Sequence, residues 1–369
     1  MAACKNEVPR SALRVPPPNV AYLPKDPATY RPAIGLIGCG GISASHLSAY
    51  KSAGYNVVAL CDLIETRAKR RQTEYFPDAA IYVDYKDLLK RDDIEVVDIA
   101  THPRDRVPII EDALNARKHV LSQKPFVLDL DLGRHFAALA DEKGVRLAVN
   151  QNGRWAPHFS YIREAIRSGM LGEVFAAHLA VHWDHGWIAG TAFDEMSHPI
   201  LYDFAIHWFD IVTCFLCEKE PTRVYATVAP GPRQKTKAPM LAQVLIEYDN
   251  AQVSLVFDAC APHGALDTTY VAGTRGAVTS SGPSLNDQSL TIYTPNGYSC
   301  PPLEGAWFVD GFHGTMAELL RAIEEKREPL NSARDNLRGL ALCFAAIASA
   351  ETHQPQIPGE ISRMPGLLE

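Results

Sequence analysis

The stretch LYDFAIHWFD, Leu201 to Asp210, has the apolar spacing of a helix, with Leu201, Phe204, Trp208 and Ile211 in register. Asp203, His207 and Asp210 recur at i, i+4 and i+7 and so share one face of that helix. Such a stripe either meets water or carries proton chemistry, for which an imidazole near its ordinary pKa is suited at neutral pH. A second candidate is Lys124 in Gln123-Lys124-Pro125, just after the apolar run HVLSQ. A lysine at the end of a parallel strand can polarise a substrate hydroxyl or take part in its deprotonation; the plain alternative is a solvated surface lysine. A third is Gly38-Cys39-Gly40-Gly41-Ile42-Ser43, a G-x-G-x-x-G/A pattern with serine in its third place.

The elements around the glycines give that pattern its context. AIGLIG reads as a buried strand, and a helix follows the glycines through about Ser52 until Gly54 stops it. Gly38 permits the tight turn, Gly40 lets backbone N–H groups approach a pyrophosphate, and the helix N-terminus adds partial positive charge. Asp62 ends the next strand, 22 positions after Gly40, near the ~20 expected of a ribose-binding acid. A carboxylate there accepts from a ribose 2′-hydroxyl and repels a 2′-phosphate, so NAD is expected over NADP, with Arg67, Lys69, Arg70 and Arg71 partly offsetting that repulsion.

Strands and helices alternate from Arg31 to about Asn150, which predicts an α/β, doubly wound parallel (Rossmann) domain. Residues 1–30 form a proline-rich arm that cannot be helical, either a loose tail or a strap across a neighbouring domain or subunit. Residues 151–369 change texture. Runs of period near two, such as MLAQVLIEYD, predict an α+β domain for substrate and oligomer contacts with a mostly antiparallel, open-faced sheet. Two closing helices are expected, about Gly311 to Lys326 and Ala333 to Thr352.

Composition excludes several classes. A net charge of −7 argues against nucleic acid or an acidic membrane as partner. The longest apolar run, Gly339 to Ala350, is short of a membrane span, and the first ten residues lack a signal peptide's apolar segment, so a cytoplasmic protein is expected. Cys214 and Cys217 form a lone C-x-x-C within an apolar helix, expected to be core thiols. His182 and His185 at i, i+3 on a strand end do not share a face, and no metal is expected.

With these motifs in order, the chain resembles the glucose–fructose oxidoreductase, inositol 2-dehydrogenase and MocA-type (Gfo/Idh/MocA) family over about residues 33 to 355. The match rests on the glycine loop, Asp62, ATHP (Ala100 to Pro103), KHVLSQKP (Lys118 to Pro125), NGRWAP (Asn152 to Pro157) and YDFAIHWFD (Tyr202 to Asp210). The resemblance implies a catalytic set of Lys124, Asp203 and His207. It implies cofactor contacts at Gly38, Gly40, Gly41, Ile42, Ser43, Asp62, Thr101, His102, Gln123, Lys124, Arg154 and Trp155. Substrate contacts are expected at Lys124, Arg154, Asp203 and His207, and also at His182 and His185, in a segment whose tryptophans suit a sugar ring.

The implied reaction interconverts a secondary alcohol and a ketone on a sugar, sugar acid or cyclic polyol, in a homodimer or homotetramer. Lys124 and His207 could exchange roles as proton acceptor. Two other readings stay open: transient use of bound NAD for isomerisation or bond cleavage, and a sugar- or dinucleotide-sensing regulator. Three departures from the family pattern stand out, the first being Val107 where many members have a histidine. Gln123 replaces the usual glutamate before the lysine, and Ser197-His198-Pro199 replaces a glycine-rich lead-in, with His198 expected near the site.

Overall fold

The structure, a computed structural model, describes residues 13–366, so the first twelve residues of the expected arm lie outside it. Short buried strands alternate with helices through β1 (Ala33–Ile37), α1 (Ser43–Ala53), β2 (Asn56–Cys61), α2 (Glu65–Tyr75), β3 (Ala80–Tyr82), α3 (Tyr85–Leu89), β4 (Ile94–Ile99), α4 (Pro103–Asn115), β5 (His119–Gln123), α5 (Leu130–Lys143) and β6 (Leu147–Asn150). Local chemistry sets the boundaries. Gly54 and Gly144 close α1 and α5 in the left-handed region, and the Asp129 carboxylate caps α5 by accepting from the N–H groups of Asp131 and Leu132. The strands pair in parallel in the order β3-β2-β1-β4-β5-β6. That order reverses between β1 and β4, which opens a crevice at their carboxyl ends.

The second sheet follows α6 (Pro157–Arg167) and is built from β7 (Val174–His182), then, after α7 (Ile206–Phe215), β8 (Pro221–Ala229), β9 (Leu241–Tyr248), β10 (Ala251–Asp258), β11 (Leu266–Gly273), β12 (Gly276–Ser284), β13 (Asp287–Thr294) and β14 (Gly297–Ser299). Its order is β14-β13-β12-β11-β7-β10-β9-β8, with only the β7–β10 pair parallel. Alternation turns Val244, Ile246, Val253, Leu255 and Phe257 into the core, while Tyr225, Leu245, Leu266 and Tyr270 stay exposed on the other face. The closing helices are α8 (Trp307–Glu324), which starts four residues earlier than expected, and α9 (Ala333–Thr352). α8 returns to the parallel sheet, since Phe312, Met316 and Leu319 share a core with Ile34, Leu36 and Leu47. Among the described residues no helix is long and apolar enough to cross a membrane.

The expected continuous helix over Leu201 to Asp210 is corrected. Ile200–Phe204 form a π-helical turn, closed by the Ala205 N–H donating to the Ile200 carbonyl at 2.7 Å, and α7 begins at Ile206. Such wide turns recur at functional sites.

From Leu13 on, the arm is laid along its own chain. Val15 N–H donates to the Tyr298 carbonyl at 2.8 Å, Ser160 Oγ to the Tyr22 carbonyl at 2.6 Å, and the Glu324 carboxylate accepts the N–H groups of Ala28, Thr29 and Tyr30.

Candidate active site

The parallel strands deliver the nucleotide candidates to one edge. At Gly38 a φ of 98° and a virtual Cβ 2.9 Å from the Ala100 carbonyl carbon leave room only for glycine. At Gly40 and Gly41 a Cβ would meet nothing within 4 Å, so a bare backbone faces open space. α1 begins beside them with no side-chain cap and no acidic residue in its first turn, leaving its terminal N–H groups to an anion.

Arg71 braces this loop from α2, donating to the Gly40 carbonyl at 2.9 Å and to Ser43 Oγ at 3.1 Å. Asp62, just past β2, accepts from the Cys39 and Ile64 N–H groups, each at 2.8 Å. Thr101 packs against Gly38 and keeps a buried, unpartnered Oγ1, while His102 is exposed at the start of α4. These residues fit a dinucleotide. The open cradle of Gly40, Gly41, Ile42 and Ser43 suits the pyrophosphate, and Asp62 suits the ribose.

A second constellation joins the two sheets. Lys124 follows β5 directly, and its Nζ donates to the Asp203 carbonyl at 2.8 Å and to Asp203 Oδ1 at 3.1 Å. The π turn thus presents both its backbone and its carboxylate to the lysine. His207 lies in the first turn of α7, with Nδ1 shielded and unpartnered. Burial, and then the Lys124 cation, hold its pKa well below the ordinary imidazole value, so the ring is neutral at neutral pH. Trp307 meets His207 edge-on, with centroids 5.3 Å apart, and is itself held by its Nε1–H donating to Asn152 Oδ1 at 3.0 Å. His185 stands close enough to feel both Asp203 and Lys124, and its ring lies 4.5 Å from Phe204 and 5.6 Å from Trp183. This makes an aromatic wall next to the ion pair.

Several expected ligand contacts are corrected. Arg154 does not face the cleft: its buried guanidinium makes two 2.6 Å bonds to Asp210 and one of 2.7 Å to Asp335, so its donors are spent in the core. Asp210 is thereby a structural anchor beneath α7. Trp155 is buried between Arg163, 5.1 Å from its ring, and Gly314 of α8. His182 lies on the open face of the second sheet, paired with Asp258 at 2.7 Å, because Val181 takes the inward position. Gln123 turns inward, accepting from the Lys124 N–H at 2.7 Å. His198 is tied to Glu351 of α9 at 3.1 Å and is not hydrogen-bonded to Asp203 or His207 among the described residues. Sequence reasoning placed Arg71 near the cofactor only as a cation offsetting a 2′-phosphate, not as a brace of the glycine loop, and it missed Trp307 and the buried His46; of these two, only His46 left a signal, as a polar residue four positions before Tyr50 on the helix that the glycines open.

A doubly wound sheet with an open glycine cradle, a carboxylate past β2 and a lysine at the strand ends fits a dinucleotide-dependent oxidoreductase. Residues 33–151 match the model described as the oxidoreductase family with an NAD-binding Rossmann fold, and residues 159–279 match the C-terminal domain of the same family. The chain belongs to this Gfo/Idh/MocA family and is an NAD-binding oxidoreductase. It is 28% identical over 334 residues to D-apiose dehydrogenase of Paraburkholderia graminis, covering 85% of this chain and 86% of that protein. It is 27% identical over 341 residues to inositol 2-dehydrogenase of Rhizobium meliloti, covering 88% and 98%. An Agrobacterium radiobacter oxidoreductase solved with NAD+, L-tartaric acid and magnesium shares the fold with a TM-score of 0.80 at 22% identity, covering 89% of this chain and 99% of that one.

Proposed function

We propose that this enzyme oxidises a secondary hydroxyl of a sugar, sugar acid or cyclic polyol. The observation that carries the reading is the Lys124–Asp203 pair beside the neutral His207, at the carboxyl end of the parallel sheet. NAD, when bound, supplies the hydride acceptor. Lys124 gives two donor directions to Asp203, which leaves its remaining N–H for the substrate oxygen and for the negative charge that grows there. Asp203 fixes the direction of that N–H. His207 is neutral and has an imidazole nitrogen able to take the hydroxyl proton, so we assign it as general base and Lys124 as electrostatic stabiliser. His185, Phe204 and Trp183 would pack on the apolar face of the ring.

The exposed Tyr225, Leu245, Leu266 and Tyr270 on the open sheet face support a homo-oligomer, and the composition suits the cytoplasm. The test is a panel of sugars, sugar acids and inositols with NAD, followed by NADH absorbance. Turnover on one of them supports the reading. A product formed without NADH would replace it by transient redox use, and binding without any product would replace it by a sensor.

A further inference from the structure

Behind Lys124 lies a buried set of polar side chains that the reading above does not use, although Asp98 Oδ1 within it has no hydrogen-bond partner. His46, on α1, is fully buried. Its Nδ1 sits 2.7 Å from Asp98 Oδ2, and the same oxygen accepts the Tyr50 hydroxyl at 2.7 Å. Its Nε2 faces Gln123 Nε2 at 3.3 Å and Asn150 Nδ2 at 3.2 Å. The Phe312 ring of α8 covers it, with centroids 4.7 Å apart.

One donor in this set admits no ambiguity. The backbone N–H of Lys124 can only donate, and it points at one end of the Gln123 amide, 2.7 Å away. That end is therefore the carbonyl Oε1, and the other end, which faces His46, is the NH2. His46 Nε2 must accept from it and carries no proton. The ring's one proton sits on Nδ1 and is donated to Asp98.

We propose that Asp98, His46 and Gln123 form a positioning relay for Lys124, in which His46 is held as the neutral Nδ1–H tautomer and sets the Gln123 amide, and through it the peptide of Lys124. The relay rests on Lys124 facing substrate. It also accounts for the amide at position 123: a carboxylate there would put oxygen lone pairs against both the His46 Nε2 lone pair and its neighbours, unless Nε2 took up a proton. The charged or titratable groups around His46 are Asp98 from β4 and Tyr50 from its own helix, with Arg106 of α4 the next charge out, felt at Asp98. Gln123, Asn150 and Phe312, from β5, β6 and α8, carry no charge. At metal sites a histidine locked by its second nitrogen aims the ligand, and losing that support costs about 10–100-fold in affinity or activity; the His46 relay uses the same device without a metal.

The test has two arms on the full-length protein. Histidine side-chain nitrogen NMR reads the tautomer without reference to activity. His46 should show a protonated Nδ1 and a bare Nε2, whereas in Q123E the glutamate oxygens facing the ring should draw a proton onto Nε2. A proton on His46 Nε2 in the parent overturns the relay. Kinetics form the second arm. His46→Phe, folded by near-ultraviolet circular dichroism, should lose about 10–100-fold in kcat, the cost seen when metal-site histidines lose such support, with the KM for NAD nearly unchanged. A folded His46→Phe with parental kcat overturns the relay. Failure of the parent to oxidise any alcohol removes the functional reading instead, and leaves the tautomer result standing.

Discussion

Asp62 offers a direct test of how this chain selects its cofactor. Each of its oxygens already accepts one backbone N–H, from Cys39 and Ile64 at 2.8 Å, so the carboxylate is rigid and each oxygen keeps a lone pair for a ribose hydroxyl. A hydrogen bond to a charged acceptor is worth about 1.5–3 kcal/mol, so Asp62→Ala should weaken NAD about tenfold to a hundredfold. A 2′-phosphate about 5 Å from the carboxylate meets about 3 kcal/mol of repulsion per unit charge at an effective dielectric constant of ~20. Removing the carboxylate relieves that repulsion. Three of the four nearby cations are engaged elsewhere, Arg71 against the glycine loop and Lys69 and Arg70 with Glu65 and Glu74, which leaves exposed Arg67 as the one to offset the repulsion.

Losing the Cys39 and Ile64 bonds will loosen the loop, but it harms both cofactors alike and cancels in their ratio. The ratio of kcat/KM for NAD to that for NADP should therefore fall by about 10³–10⁴ in Asp62→Ala, from the lost ribose bonds and the relieved repulsion together, at 1.4 kcal/mol per tenfold. Asp62→Asn, which keeps one acceptor and removes the charge, should fall between. Initial rates with both cofactors at saturating substrate measure it. A ratio unchanged within threefold, or a parent that prefers NADP, refutes the assignment.

Lys124→Met should lower kcat by about 10²–10³ while NAD affinity, read by isothermal titration, stays within a few fold; parental kcat would remove the lysine from the chemistry. His207→Asn should cost about 10²–10⁴. Because burial and Lys124 depress the His207 pKa, the neutral base persists as pH falls through the ordinary imidazole range, so the parent's kcat/KM should lose activity only at pH below it; an acid limb near pH 6.5 would contradict that. Asp267, on the inner face of β11, is buried with both carboxylate oxygens unpartnered, and burial pushes its pKa up to about 7. A raised folded-state value means stability that is fully present below the unfolded value near 4 and is lost as pH rises through about 7, up to about 4 kcal/mol. Asp267→Asn escapes that loss, so its melting temperature relative to the parent should climb by about 3–6 °C between pH 5 and pH 8 in thermal melts. A pH-independent difference would show that Asp267 finds a partner in solution.

Whether a site residue was legible in sequence depended on whether its neighbours in the chain decide its direction. Gly38, Gly40, Asp62 and Lys124 were legible because strand ends in a parallel sheet all emerge at one edge, so a motif just past a strand is placed by the fold class itself. His182 was legible in principle. Period two sends it opposite Val181 and Leu179, onto the open face, and only its nearness to Trp183 and His185 suggested the cleft. Arg154 was not legible, since its partners lie 56 and 181 residues away, and nothing local separates a ligand-binding arginine from a buried one. The π turn was hidden for a different reason. Its side-chain pattern is that of an α-helix, and the extra residue shows only in the Ala205 to Ile200 bond.

These two illegible features are connected through α7. Asp210 is clamped from below by Arg154, which also holds Asp335 near the start of α9, so the helix is anchored to two other segments by a buried ion pair. Breaking one partner of such a pair usually costs about 3–5 kcal/mol, so the helix axis has little freedom to drift. The wide turn then has to absorb whatever offset remains between that fixed helix and Lys124 on the other sheet. It does so by turning the Asp203 carbonyl, as well as the carboxylate, toward Nζ. A regular α-helical turn would commit that carbonyl to the N–H of His207, four residues on. The Lys124 contact across the sheets thus depends on the π turn as much as on the identity of Asp203, and an Asp-x-x-x-His spacing on an unbroken helix would lack the backbone half of the lysine's hold.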